Sequence, residues 1–162
     1  MVTIGYHYSI LDKASSGYLL IITNVMMIIG CIVYSVIAKY NIDRWIILFS
    51  SIGMFVVMPL IIIEKSTECF LIMYGLGYFI LNLINYSVPV AVTRIVDYKV
   101  ISQYTAWRML LNTLGSALAG LVCIPMMELL GGITAFIIIG IMQLISGGTY
   151  FMCIKKVRIY DK

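Results

Sequence analysis

The sequence predicts an all-α membrane protein, a polytopic bundle of five spanning helices. Three observations carry that prediction. Of 162 residues, 62% are apolar and 11% charged, against roughly 45–50% and about 25% in a soluble domain. The apolar residues fall in successive runs of about twenty, the length that crosses roughly 30 Å of hydrocarbon at 1.5 Å per residue. Short polar turns separate the runs, where a soluble core would offer at most one such segment.

Residues 1–17 mix aromatics with Asp12, Lys13, Ser15 and Ser16 and read as an extracellular, interfacial segment. Tyr6, His7 and Tyr8 suit the aromatic belt at a membrane surface. The opening lacks the basic stretch, short apolar run and small-residue cleavage site of a secretory signal in that order. Insertion is therefore expected to rest on the spans.

The first span is expected at 18–38, and the turn KYNIDR at 39–44 leads to a second at 45–63. Pro59 falls near the end of that span, where neighbouring helices can re-satisfy the carbonyl it frees. The turn EKSTE precedes a third span at 70–92, and a polar connector at 93–103 precedes a fourth at 104–127. Gly131 and Gly132 close the fourth, and a fifth at 133–154 runs into the tail KKVRIYDK at 155–162.

Five spans place the termini on opposite sides of the bilayer. Nine basic residues, Lys39, Arg44, Arg94, Lys99, Arg108, Lys155, Lys156, Arg158 and Lys162, then share one side, while Lys13 and Lys65 occupy the other. Such an excess marks the cytoplasmic face. The amino terminus is expected outside the plasma membrane and the tail inside, so topology accounts for the net charge of +4. No basic patch interleaved with aromatics points to nucleic acid.

The polar groups inside the spans are the functional signal. In the third, Tyr74, Tyr78, Asn82, Asn85 and Pro89 recur at helical spacing and share one stripe. In the fourth, Arg108 and Asn112 stand four residues apart, with Gly115 and Ala119 continuing the face. The first carries Asn24, Cys31 and Ser35. Amides and phenols where water is scarce either bind a polar solute or join helices through hydrogen bonds, and both readings stand. Arg108 either snorkels to headgroups or makes a gate or anion contact. Asn24, Tyr78, Asn82, Asn85, Arg108 and Asn112 are the candidate solute-path residues. On this count spans one, three and four face inward and spans two and five face lipid.

Other chemistries lack their residues. No carboxylate lies mid-span, so no proton or sodium relay is visible. The four cysteines and lone His7 have no metal-ligand spacing, and neither a metal nor another cofactor is expected. No nucleophile with a base, paired carboxylate, phosphate loop or HExxH motif is present, which argues against an enzyme.

With these motifs in place, the chain resembles the last five helices of a major facilitator superfamily transporter. KYNIDR looks like the basic loop between that family's eighth and ninth helices, and YTAWRMLLNTLGSALAG like the start of the eleventh. Within the family, YHYSILDKASSGYL, the Gly75–Leu76–Gly77 triplet, Pro89 and the Asp97–Tyr98 pair look most similar to the glycoside, pentoside and hexuronide cation symporters. The sequence departs from that branch at Thr93 and Arg94, where a further acidic residue is frequent. The resemblance implies a secondary transporter for a sugar or similar polar solute, held between two halves of about six helices each. It also implies that the cation site belongs to an amino-terminal half supplied by another segment or partner chain. A drug-exporter fragment and a non-transporting accessory or remnant membrane protein are the alternatives.

Overall fold

A computed structural model describes residues 13–63 and 66–160. Tyr6, His7, Tyr8, Glu64, Lys65 and Lys162 lie outside the described residues, as do the side chains of Lys13, Cys123, Lys155, Lys156 and Arg158. Among the described residues five long helices follow one another: α1, Lys13–Ile37; α2, Asp43–Ile63; α3, Thr67–Thr93; α4, Tyr98–Leu130; and α5, Gly132–Tyr160. A 3₁₀ turn, Ala38–Tyr40, follows α1, and no strand occurs among the described residues. Stretches this apolar form helices because the hydrocarbon offers no outside partner for a backbone N–H or C=O. Gly17–Tyr40, Asp43–Ile61, Thr67–Thr93 and Gly132–Cys153 are long and apolar enough to cross a membrane. The chain is an all-α, membrane-type helix bundle.

Local chemistry sets the ends. Asn41 takes the left-handed conformation, φ 53°, and ends the 3₁₀ turn by donating its N–H to the Ala38 carbonyl at 3.4 Å; asparagine tolerates that region better than other non-glycine residues. Gly131, φ 77°, is the one-residue joint between α4 and α5. Asp97 caps α4, its side chain accepting from the Lys99 N–H. That cap starts the helix at Tyr98, so the polar connector contracts to 94–97 and α4 reaches 33 residues. At 1.5 Å per residue such a helix is about 50 Å long, well beyond the hydrocarbon thickness. α5 likewise continues to Tyr160, through residues whose polarity suggests a tail.

α2 is the central element, packed between α3 and α5, while α1 packs on α3 and α4 touches chiefly α5. This reverses the expectation that the second span faces lipid. Glycine explains the reversal. A Cβ on Gly140 would meet Phe55 Cα at 3.2 Å, one on Gly147 would overlap the Ser51 side chain, and Gly53 faces Ile80. Helices in lipid associate by close van der Waals approach, so small residues mark the centre where polar ones do not. On the other side, Gly30 lies against Asn82 and Gly75 against Ile22, drawing α1 onto α3.

Three apolar clusters fill the interfaces. Leu19, Val57, Ile61, Phe70 and Tyr74 join α1, α2 and α3 near one end. Ile47 and Ala91 join α2 and α3 near the other, with Tyr150 of α5 alongside. Met127, Ala135 and Phe136 seat the end of α4 on α5, against Met58 of α2. The middle of α4 is open, with Trp107 at 64% and Leu121 at 73% exposure.

Candidate functional site

Between α2, α3, α4 and α5 lies a pocket of about 210 Å³. Its polar lining is Ser51, Asn85, Arg108, Gln143, Ser146 and Tyr150, with Ile47, Ile84 and Val88 among its apolar walls. Each helix contributes through its own periodicity. On α5, Gln143, Ser146, Gly147 and Tyr150 stand at i, i+3, i+4 and i+7 and therefore share one face. Gly147 is the position at which α5 presses on Ser51, so the pocket opens beside the α2–α5 crossing.

Arg108 is the charged member. It lies ten residues beyond the start of α4 at Tyr98, about 15 Å along the helix axis, because Asp97 begins the helix early. Half-buried, it donates from Nη2 to the Asn85 main-chain carbonyl at 3.1 Å. Beside it the Tyr104 and Tyr150 hydroxyls lie 3.4 Å apart. Ser51 commits its hydroxyl proton to the Ile47 carbonyl at 2.8 Å, leaving its lone pairs on offer. Asn85, Gln143 and Ser146 side chains make no hydrogen bond among the described residues. The pocket can therefore take a small solute through one fixed cation and several uncommitted amide and hydroxyl groups.

Of the six residues singled out from sequence, the fold brings Asn85 and Arg108 to this pocket. Tyr78 and Asn82 serve the α1 side of α3. Asn82 is 8% exposed and donates from Nδ2 to the Tyr78 carbonyl of its own helix at 2.9 Å, its Cβ facing Gly30. Tyr78 packs against Tyr74, ring centroids 5.0 Å apart, and Tyr74 in turn lies 3.4 Å from the Thr23 hydroxyl. Asn24 and Asn112 are exposed, on α1 and α4, and make no hydrogen bond among the described residues. The stripe on α3 thus divides between helix joining and pocket lining. Ser51, Gln143 and Ser146 are visible in the sequence as the few polar groups of spans two and five, but with Tyr150 they stand outside the candidate set because those spans are expected to face lipid, although the α5 pattern carries the signal.

A second polar cluster lies where the chain turns. Asp43, 4% exposed at the start of α2, accepts from Tyr34 Oη at 2.7 Å and pairs with Arg94. Arg94 also donates from Nη2 to the Ala38 carbonyl at 2.9 Å. These contacts tie the α1–α2 and α3–α4 connections together at one end. The guanidinium of Arg44, stacked within 5.5 Å of the Phe151 ring centroid, brings α5 to the same end. Among the described residues no group of His, Cys, Asp or Glu is placed to hold a metal ion.

The fold and its pocket define a class: a polytopic membrane helix bundle with a polar site among its helices. Comparison with protein-family models, with curated proteins and with solved structures finds no match.

Proposed function

We propose that this chain is the solute-binding side of a membrane transporter of the kind its sequence resembles, one carboxy-terminal half of a major facilitator-type carrier. The pocket of six polar groups, set between three helices long and apolar enough to span a bilayer, α2, α3 and α5, and the Arg108 side chain of α4, is the observation that carries the reading. Lipid-facing surfaces do not carry uncommitted amides, because each unsatisfied polar group in hydrocarbon costs several kcal/mol. The exposed Asn24 on α1 and Asn112 on α4 extend the argument: both face outward without a partner among the described residues. Water in a solute path, closed by further helices, would satisfy them. In this reading the solute is a small polar molecule and the end bearing Lys39, Arg44, Arg94 and Lys99 is cytoplasmic, by the excess of positive charge.

Cysteine accessibility tests it. Single cysteines at Ser146, Asn112 and Ile145, in a chain freed of its native cysteines, are treated with a hydrophilic thiol reagent in inverted membrane vesicles. Reaction at Ser146→Cys and Asn112→Cys but not at the lipid-facing Ile145→Cys is expected. Equal inertness at all three places the polar groups in a dry interface and sinks the transport reading. A non-transporting accessory protein is the second reading, favoured by the open face of α4. It predicts that Asn112→Cys is shielded by a partner while the pocket stays empty of solute.

A further inference from the structure

Arg108 carries a permanent positive charge, and nothing among the described residues neutralises it. Among the described residues the ion pair is Arg94 with Asp43, at the end of the bundle. Among the described residues no acidic side chain lines the pocket, and Arg108 donates to the Asn85 carbonyl. A guanidinium has five N–H donors in a planar fork, so most of its capacity is uncommitted. Away from bulk water a lone cation is expensive, and an anion brought beside it recovers much of that free energy. The surrounding groups suit the rest of such a ligand. The Ser146 hydroxyl and the amides of Asn85 and Gln143 can donate to its other oxygens, and the lone pairs of Ser51 can accept from a hydroxyl of the ligand.

From this arrangement we infer that the pocket binds an anionic group, a carboxylate or a phosphate, in the fork of Arg108. The inference rests on the pocket being a ligand site and adds the charge of what it takes. The about 210 Å³ accommodates a small organic acid of the size of a six-carbon polyol acid, or the phosphate of one lipid headgroup. Both sources present the same oxygens to the same fork. Planar bidentate pairing favours arginine over lysine at such a site, so the arginine itself, and not the charge alone, is required for full affinity.

The test uses the full chain reconstituted in nanodiscs of phosphatidylcholine, with gluconate and sorbitol as a matched pair differing by a carboxylate. Gluconate is expected to bind about tenfold or more tighter than sorbitol, the equivalent of ~1.4 kcal/mol. Arg108→Gln should remove the preference and Arg108→Lys should keep part of it. A second arm adds phosphatidylglycerol and counts retained lipid by native mass spectrometry. Phosphatidylglycerol held by the parent, lost in Arg108→Gln and undisplaced by gluconate assigns the site to a lipid phosphate and also supports the inference. Gluconate and sorbitol bound equally by the parent and Arg108→Gln, with no lipid retained, overturns the anion inference and leaves the pocket reading standing. No saturable binding of either solute, and no retained lipid, overturns both. If Arg108→Gln does not elute as a single species, Arg108→Lys decides: an unchanged gluconate preference overturns the fork.

Discussion

Arg94 and Asp43 form an ion pair across 51 positions of sequence, fastening the α3–α4 connection to the first turn of α2. The carboxylate is also held by Tyr34 of α1, so one buried charge gathers three helices. A buried charge that loses its partner is left desolvated, whereas losing both partners is far milder.

Asp43→Asn and Arg94→Gln should therefore each destabilise the bundle, by up to ~3–5 kcal/mol for the variant that leaves Asp43 buried without its counter-charge. The double variant should be less destabilised than the sum. A double-mutant cycle on unfolding in detergent measures the coupling; strict additivity would show that the pair contributes nothing.

At the α2–α5 crossing, a methyl on Gly147 overlaps the Ser51 side chain. Gly147→Ala should cost roughly 1–3 kcal/mol, the usual penalty for overpacking, and Ser51→Gly in the same chain should recover part of it. The same substitution at Gly148, whose Cβ would meet nothing, is the control and should be tolerated. Thermal unfolding of the four proteins checks the order.

Asn82 and Asn85 should behave differently although the sequence makes them equivalent. The Asn82 amide is spent on its own helix at the α1 contact, so Asn82→Ala should lower stability by about 0.5–1.5 kcal/mol and leave ligand affinity alone. Asn85→Ala, at the pocket, should weaken binding of gluconate with little change in stability. Isothermal titration beside thermal unfolding separates the two; a matching pair of effects would refute the division of the α3 stripe.

Topology is open to a direct check. With the α1–α2 and α3–α4 connections at one end, a cysteine at Lys99 should react with an impermeant maleimide only in inverted vesicles. One at Ser66, in the α2–α3 connection, should react only in intact cells. Reaction of both from the same side would contradict alternating spans.

The sequence by itself determined the class of the molecule. Composition and the length of each apolar run dictate helices of bilayer length, since the hydrocarbon admits no other backbone, and the turns KYNIDR and EKSTE mark where the second and third begin. It also singled out Asn85 and Arg108, because amides and a guanidinium are conspicuous inside apolar runs. Which helix stands at the centre was decided only by tertiary packing. In lipid the drive to associate comes from fit, so Gly140 and Gly147 pull α5 onto α2, while α1 packs chiefly on α3 and α4 chiefly on α5. The companions of Arg108 at the pocket, Ser51 on α2 with Gln143, Ser146 and Tyr150 on α5, become a site only through that crossing, because the residues that shape it lie on helices roughly ninety positions apart in the chain.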